Sequence, residues 1–345
     1  MRIHILLTNP SFFTDLGRDN CNEVWIKLKN TLEKNGFSVT FGFNDNLIKC
    51  DKLIYLDSIY LYRNIFEFFL KYFYFLIKNP DVIKYLSYLN KNTTINKSAI
   101  LLLEPPSILK NNINKKYYKD FRYVFSWNKD VIKSNEYFIQ SPCTSIFPKL
   151  KKTNFKDKKL LVDISANKFS NHKDELYSYR RELVSYLDNE IPENFDLFGT
   201  LWNKKIVKSK FFFNYLFKYK KIKSYKGYCD SKFQTISKYK FCLCIENMWN
   251  INDYISQRLF DILHSNCVPI YLGASNIENY IPKKCFIDLR DFNNNFSKLL
   301  DKLISINEID YQSYLDSIKV FLNSNQAKLF YSNYFANTIT NKLKS

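Results

Sequence analysis

The residues best suited to chemistry are concentrated between positions 239 and 292. Here the apolar run 239–246 is followed by a polar loop and by a helical pattern that begins near residue 255. Tyr254, Gln257 and Arg258 fall at positions i, i+3 and i+4, away from the apolar side of that helix. Amide groups at a helix N-terminus, together with an arginine, suit a diphosphate group. A polar helix face in contact with solvent would have the same pattern, so the spacing alone leaves both interpretations open.

Glu104 is a second candidate. It ends the apolar run 99–104 and is followed at once by Pro105 and Pro106. Because a strand cannot continue through two prolines, we expect the carboxylate at the carboxyl end of a strand. Partial burial there would raise the pKa of Glu104 and suit it to remove a proton from a hydroxyl group. A surface glutamate at the start of a loop is the alternative.

Several common nucleotide- and metal-binding motifs are absent from the sequence. It has no P-loop, no dinucleotide-binding glycine fingerprint, no HExxH or GxSxG pattern and no DxD pair of carboxylates. The 8 cysteines include no CxxC pair, and with only 3 histidines a Cys/His zinc site is not expected. We therefore predict no metal and no bound cofactor, and we interpret the cysteines as buried free thiols typical of a reducing compartment.

The charge of the chain is strongly positive, +19 from 52 basic and 33 acidic residues. Such an excess attracts nucleic acid, anionic lipid and phosphorylated small molecules alike. An AT-rich coding sequence would also enrich Lys, Asn, Ile, Phe and Tyr without any selection for binding. The lysines form no long runs and accompany no RNA-binding or zinc-finger pattern. We therefore predict no nucleic-acid partner from the charge.

Strand and helix patterns alternate along the 345 residues, which favours an α/β fold with doubly wound parallel sheets. The pattern is interrupted around residues 143–160, which are polar and basic. We predict a domain over 1–150, a second over 151–325 and a closing C-terminal helix over 326–345. Two Rossmann-like domains facing across a cleft would place a ligand at the carboxyl ends of the strands. Strands are predicted at 3–7, 37–42, 52–56, 99–104, 123–127, 160–165, 195–199, 240–246, 267–273 and 285–289, and helices at 22–35, 174–187, 255–264 and 310–323.

The segment 239–277 resembles the donor-site region of the α-1,3/4-fucosyltransferase family. The matching elements, in order, are Tyr239-Lys240-Phe241, Ile245-Glu246-Asn247, Tyr254-Ile255-Ser256-Gln257-Arg258, Val268-Pro269-Ile270-Tyr271-Leu272-Gly273 and Asn276-Ile277. Weaker matches extend over residues 99–335, whereas residues 1–98 match in architecture only, as expected of an acceptor-binding half.

The resemblance implies an inverting, metal-independent enzyme of the GT-B type that uses GDP-fucose as donor and a glycan as acceptor. It assigns the general base to Glu104, in the domain that would bind the acceptor. It assigns Arg180, seven residues before Leu187, to the donor pyrophosphate. The further donor-binding residues that it implies in the second domain are Asn167, Glu246, Asn247, Tyr254, Gln257 and Arg258.

Two positions depart from the family pattern. Gln257 stands where the family has glutamate, and Arg258 stands where it has lysine. Arginine keeps the positive charge and adds a second donor for phosphate. Glutamine removes a negative charge but can still bond to sugar hydroxyls. Two alternatives therefore stay open: a transferase for another sugar nucleotide, or a non-catalytic protein that binds carbohydrate or nucleic acid.

The sequence predicts no membrane anchor. The apolar run at the N-terminus is too short for a signal peptide. The aromatic segment 66–78 contains Glu67 and Lys71 and is shorter than the ~20 apolar residues of a membrane span. It predicts an amphipathic core helix, with a membrane-surface helix as the alternative. Golgi-type members of the family carry an N-terminal anchor, and we instead predict a cytoplasmic protein with peripheral membrane contact at most.

Overall fold

The computed structural model describes residues 1–6, 10–58, 85, 95–132, 136–151, 153–206, 215–219 and 221–345. The chain divides into two compact units. Unit 1 contains Met1–Ser145 and Leu329–Ser345, and unit 2 contains Ile146–Lys328. The predicted helix at 66–78 lies outside the described residues. Within the described ranges, no helix is long and apolar enough to cross a membrane.

Unit 1 is built on a six-stranded parallel sheet with the strand order β2-β1-β3-β4-β5-β6. The strands are β1 (Arg2–Leu6), β2 (Ser38–Phe41), β3 (Lys52–Leu56), β4 (Ala99–Leu102), β5 (Tyr123–Ser126) and β6 (Glu136–Phe138). The apolar residues of β1, β3, β4 and β5 are buried on both faces, as expected of parallel strands that are covered on both sides, whereas the edge strand β2 is partly exposed. On β3, Ile54 faces one core and Leu53 the other, because successive side chains of a strand point in opposite directions.

Unit 2 has a second six-stranded parallel sheet, with the strand order β11-β8-β7-β12-β13-β14. Its strands are β7 (Lys159–Ile164), β8 (Phe195–Phe198), β11 (Tyr225–Gly227), β12 (Tyr239–Ile245), β13 (Val268–Leu272) and β14 (Ile287–Asp288), and a separate antiparallel pair is formed by β9 (Lys204–Ile206) and β10 (Tyr215–Tyr219). A hydrophobic core of this unit contains Phe241, Leu243 and Ile245, which alternate along β12 and face the same side of the sheet. Cys242 and Cys244 between them are buried free thiols.

The described α-helices cover the sheets. They are α1 (Glu23–Lys34), α2 (Asn46–Lys49), α3 (Tyr177–Glu190), α4 (Lys232–Ile236), α5 (Gln257–Leu263), α6 (Phe296–Ser305), α7 (Glu308–Leu322), α8 (Asn325–Lys328) and α9 (Ser332–Lys344). In unit 1, Val24, Leu28 and Leu32 recur on one side of α1 and enter the same core as Phe335 and Ile339 of α9.

The C-terminal segment 326–345 contains two helices rather than one. Main-chain bonds from Cys143 to Phe330 (2.8 Å) and from Ser332 to Cys143 (3.0 Å) hold the chain between α8 and α9 in an extended conformation. As a result, α8 belongs to unit 2 and α9 to unit 1. The chain passes from unit 1 to unit 2 after Ser145, where the sequence analysis placed a domain boundary after residue 150.

Candidate functional site

The candidate site of unit 2 lies at the carboxyl ends of β7 and β12, the two central strands of its sheet. The chain continues from β7 to β8 on one side and from β12 to β13 on the other, so the strand order reverses between β7 and β12. In parallel α/β sheets a crevice forms at such a reversal, and ligands bind there. Seven predicted residues belong to the loops after these strands and to the helices α3 and α5: Asn167, Arg180, Glu246, Asn247, Tyr254, Gln257 and Arg258.

Two arginines converge on the last residue of β12. Arg180, from α3, donates through Nη2 to the carbonyl oxygens of Ile245 and, at 3.1 Å, of Glu246. Arg258, from α5, donates through Nη1 to the same Ile245 oxygen at 2.6 Å. Arg180 is buried and Arg258 is partly exposed. The two guanidinium groups concentrate positive charge at this strand end, where an anionic ligand would find charged donors.

Two buried carboxylates, on Asp163 of β7 and on Glu246, balance these cations. Burial raises the pKa of both carboxyl groups, and both arginines act in the opposite direction. Burial and the neighbouring Arg258 together lower the pKa of Arg180 to about 10. Burial also disfavours the charge of Arg258, but Asp163 and Glu246 outweigh it and raise the pKa of that guanidinium. The charges of the four groups therefore depend on one another.

Asp163 and Arg180 retain unused hydrogen-bonding capacity. Asp163 Oδ2 accepts a bond from Ser165 Oγ at 2.6 Å, whereas its Oδ1 has no partner among the described residues. Nε of Arg180 is likewise without a partner in the described part of the chain. Buried polar groups in folded proteins are rarely left in this state. Both atoms lie at the strand reversal, where a ligand is expected.

The carboxylate of Glu246 supports the segment that leads into α5. It is 1% exposed, and its Oε1 accepts a bond from the main-chain amide of Ser256 at 2.9 Å. β13 ends directly against it, because a Cβ atom added at Gly273 would lie 2.4 Å from Cγ of Glu246. Glu246 thus fixes the main chain immediately before Gln257 and Arg258.

The sequence predicted a helix that begins near residue 255, with Tyr254, Gln257 and Arg258 on its polar side. The predicted start of this helix was wrong. The helix begins at Gln257, so Tyr254 precedes it. Asp253 has a left-handed backbone (φ 67°) and is held by Asn276, through bonds of 2.8 Å in both directions, and by the hydroxyl of Tyr280 at 2.6 Å. These contacts with residues far away in the sequence keep the chain before Gln257 out of the helical conformation.

Asn247 and Tyr254 are joined across the loop between them. Nδ2 of Asn247 donates to the hydroxyl oxygen of Tyr254 at 3.1 Å. The carbonyl oxygen of Asn247 accepts a bond from the amide of Leu176 at 3.2 Å, just before α3. Gln257 is partly exposed at the start of α5. The structure therefore brings Asn247 and Tyr254 together and leaves the side chain of Gln257 accessible beside Arg258.

Asn167 lies on the loop after β7, among residues of the loop after β8. Its amide donates to Thr200 at 2.9 Å and its Nδ2 donates to the carbonyl of Leu201 at 3.2 Å. The two loops approach so closely that a Cβ at Gly199 would lie 1.9 Å from the carbonyl oxygen of Ser165. Asn167 thus fastens the loop that follows the strand of Asp163.

Glu104 is the one predicted site residue in unit 1. As expected, it follows a strand, after the single intervening residue Leu103, and it is partly buried. Its amide donates to Oδ1 of Asp57 at 3.0 Å, and its carbonyl oxygen accepts from Nδ2 of Asn112 at 2.8 Å.

Sequence analysis missed four residues that shape these sites: Asp57, Asn112, Asp163 and Asp253. Asp163 did leave a signal, since it is a charged residue within the apolar run 160–165. Asp57 and Asp253 are aspartates with left-handed backbones, which a sequence does not reveal. Asn112 acts through contacts with residues at least eight positions away.

The two parallel-sheet units define the class of protein, the GT-B glycosyltransferase fold. The structure is similar to a solved α1,3-fucosyltransferase with GDP, with a TM-score of 0.54 at 13% identity, over 100% of this chain and 90% of that chain. It is also similar to the β-glucosyltransferase of phage T4, with a TM-score of 0.54 at 15% identity and full coverage of both chains. The predicted fold class is thereby confirmed.

The family follows from the sequence match. Residues 155–333 match the C-terminal model of glycosyltransferase family 10 (fucosyltransferase), and the chain belongs to this family. The mouse 4-galactosyl-N-acetylglucosaminide 3-alpha-L-fucosyltransferase 9 is 40% identical over 91 residues, which make up 25% of each chain. The chain thus matches about a quarter of the length of that relative. The family predicted from the motifs is confirmed.

Proposed function

We propose that the protein is an inverting α-1,3-fucosyltransferase that moves fucose from GDP-fucose to a hydroxyl group of a glycan. The observation that carries the proposal is the convergence of Arg180 and Arg258 at the strand reversal of unit 2, within the segment that matches family 10. An arginine pair with a partly exposed member is suited to a diphosphate, which can accept several charge-assisted hydrogen bonds.

The donor would bind with its diphosphate on the arginines. Their positive charge would stabilise the negative charge that develops on the departing GDP. Asp163 and Glu246 favour the charged forms of both arginines, and Glu246 also fixes the main chain just before α5. Asn247, Tyr254 and Gln257 would bond to hydroxyl groups of the sugar or the ribose. Asn167 would shape the opposite side of the same site.

Glu104 would act as the general base. Its carboxylate would take the proton from the acceptor hydroxyl as that oxygen attacks the anomeric carbon of fucose. In the same step the bond from the anomeric carbon to the diphosphate oxygen breaks, and GDP leaves with the bonding electron pair. A single displacement of this kind inverts the configuration at the anomeric carbon.

A transferase for another sugar nucleotide is the second candidate. It is favoured by Gln257, which lies partly exposed beside Arg258 and stands where the family has a glutamate. A neutral amide in place of a carboxylate changes the hydrogen bonds and the charge available to the sugar. The diphosphate chemistry of the arginines would be the same in either case.

Thermal unfolding in the presence of nucleotides tests the proposal. The protein is heated with GDP, GDP-fucose, UDP, dTDP or CMP, each at low and moderate salt. A ligand at 100 times its Kd stabilises a protein by about 2.7 kcal/mol, which raises the Tm of a domain of this size by several degrees. We expect GDP and GDP-fucose to raise the Tm and the other nucleotides to have little effect.

The other outcomes separate the alternatives. A shift with a different nucleotide would support the second candidate. No shift with any nucleotide would contradict both transferase proposals. Affinity for nucleic acid that falls steeply with salt would then favour a nucleic-acid-binding protein.

A further inference from the structure

Asp57 and Glu104 come from neighbouring strands of unit 1. Asp57 directly follows β3, and Glu104 follows β4 after one residue. β3 and β4 pair in parallel, so their carboxyl ends meet at the same edge of the sheet. The two residues are 47 positions apart in the chain and in contact in the fold.

One oxygen atom of Asp57 accepts three hydrogen bonds. Its Oδ1 accepts from the amide of Leu103 at 2.7 Å, from the amide of Glu104 at 3.0 Å and from Nδ2 of Asn112 at 2.7 Å. Asp57 is 7% exposed. A buried carboxylate that accepts several N–H groups holds its donors strongly, because little water competes for them.

Asn112 completes the arrangement from the other side. Its Nδ2 donates to Asp57 and also to the carbonyl oxygen of Glu104 at 2.8 Å. Its Oδ1 accepts from the amide and the hydroxyl of Ser58, at 3.0 and 2.7 Å. Nε1 of Trp127 adds a bond to the carbonyl of Leu103 at 2.8 Å.

Both polar main-chain groups of Glu104 are therefore bonded to buried side chains. Asp57 holds its N–H and Asn112 holds its C=O, while Pro105 restricts the backbone of Glu104 from the following position. With its main chain fixed at both ends, the direction of the Cα–Cβ bond is fixed as well. That direction determines which positions the carboxylate can reach.

The backbone of Asp57 indicates that this arrangement is imposed by its contacts. Its φ is 55°, in the left-handed region, which costs free energy at a residue other than glycine. An asparagine is also tolerated in this region and offers the same acceptor oxygen. Burial raises the pKa of Asp57, against the effect of its three hydrogen bonds. The bonds to Leu103 and Glu104 need an acceptor oxygen and no negative charge.

We propose that Asp57 and Asn112 are positioning residues that aim the carboxylate of Glu104 at the acceptor hydroxyl. The inference rests on the proposed role of Glu104 as general base. It adds that the alignment of this base depends on a buried aspartate from the neighbouring strand and on an asparagine bonded to both residues.

The test compares the steady-state kinetics of Asp57→Ala, Asp57→Asn and Asn112→Ala with those of the wild-type protein. A misplacement of about 1 Å can reduce a rate about 100-fold. We expect kcat to fall ~10- to 100-fold in Asp57→Ala and Asn112→Ala, with the KM for the sugar nucleotide unchanged. Asp57→Asn should recover most of the wild-type kcat, because it keeps the acceptor oxygen for Leu103 and Glu104.

Asp188→Ala is the matched control. Like Asp57, Asp188 is a buried aspartate, and its Oδ1 accepts hydrogen bonds from the amide and the hydroxyl of Ser224 at 2.7 and 2.6 Å. Unlike Asp57, it lies on α3 in unit 2. We expect Asp188→Ala to lower the Tm. At temperatures below that Tm, its kcat should equal the wild-type value. If Asp57→Ala does not fold, Asp57→Asn and Asn112→Ala still provide the comparison.

A further variant, Glu104→Gln, separates the two hypotheses. If it keeps wild-type turnover, Glu104 is not the base, and the proposed function fails in that part. If it abolishes turnover while Asp57→Ala and Asn112→Ala keep the wild-type kcat, only the positioning inference is overturned. A loss in Asp57→Ala that Asp57→Asn does not recover would also overturn it.

Discussion

Arg180 binds partners of two kinds, main-chain carbonyl oxygens at the end of β12 and, electrostatically, the buried carboxylates of Asp163 and Glu246. Its Nε has no hydrogen-bond partner within the described ranges. A buried guanidinium with an unused donor can bind an anion without first breaking all of its internal bonds. At the scale of single residues, Arg180 therefore supports the fold and would still have a donor group for the diphosphate in the proposed function.

Arg180→Ala should destabilise the protein by ~3–5 kcal/mol, because it leaves two buried carboxylates with less compensation. Urea unfolding measures this change. Arg181→Ala is the control, since the neighbouring Arg181 is partly exposed and donates to the carbonyl of Lys168 and to the hydroxyl of Ser178. We expect that change to cost less than ~1 kcal/mol. If the two variants lose the same unfolding free energy, the buried charges of Arg180, Asp163 and Glu246 do not stabilise the fold in the way expected.

The loss in Arg180→Ala should also depend on pH. Burial already raises the pKa values of Asp163 and Glu246, and removal of Arg180 raises them further. Between the usual and the raised values the folded state binds more protons than the unfolded state, so stability increases as the pH falls. We expect the difference in unfolding free energy between variant and wild type to shrink as the pH is lowered from about 7 towards 5. A difference that grows on acidification would be the opposite of this expectation.

At the scale of elements, the end of β13 lies against Glu246, which in turn holds the main chain at Ser256, just before α5. A Cβ at Gly273 would lie 2.4 Å from Cγ of Glu246 and 2.6 Å from the hydroxyl oxygen of Tyr271. Gly273→Ala should therefore push Glu246 away from the amide of Ser256 and loosen the start of α5. We expect the unfolding free energy to fall by ~1–3 kcal/mol. The Kd for GDP should rise about tenfold, equivalent to ~1.4 kcal/mol.

Gly36→Ala provides the control for this prediction. Gly36 follows α1 in unit 1, with φ at +84° and no atom within 4 Å of an added Cβ. The substitution should cost only the strain of a left-handed backbone, about 1–2 kcal/mol. GDP titration of both variants makes the comparison. If Gly273→Ala loses stability but keeps wild-type GDP affinity, the inferred link from β13 to the proposed donor site is wrong.

Sequence patterns predicted the buried central strands well because each of them is a short apolar run, but they predicted no strand at β6, β9, β10 or β11. The run 52–56 forms β3 over the same residues, and the run 240–246 forms β12 from Tyr239 to Ile245. The start of α5 could not be predicted, because it depends on Asp253 and its bonds to Asn276 and Tyr280. Local periodicity contains no information about partners more than twenty residues away.

The candidate site was predictable only in part. Arg180 was found through the family resemblance alone, and Glu104 through its place between an apolar run and two prolines; both residue types are compatible with many structural roles. The contact of Arg180 with Ile245 spans 65 positions of the chain and has no local signature. Asp163 could have been found as a charge within an apolar strand, whereas the bond between Asp57 and Glu104 depends on the order of β3 and β4 in the sheet.

At the scale of the whole molecule, the proposed base and the proposed donor-binding residues belong to different units. Glu104 lies in unit 1 and Arg258 in unit 2. Substitutions at the two positions should therefore separate binding from chemistry. Glu104→Gln should lower kcat ~100- to 10,000-fold and leave the Kd for GDP unchanged, because it removes only the proton acceptor.

Arg258→Ala should have the complementary effect on binding. The loss of a charge-assisted hydrogen bond of ~1.5–3 kcal/mol corresponds to a Kd for GDP about 10- to 100-fold higher. Arg258→Lys should keep part of the affinity, since it retains the charge but not the second donor. Isothermal titration with GDP and rate measurements with GDP-fucose check both variants. A higher Kd for GDP in Glu104→Gln, or an unchanged Kd for GDP in Arg258→Ala, would contradict the proposal that unit 2 binds the donor and unit 1 accepts the proton.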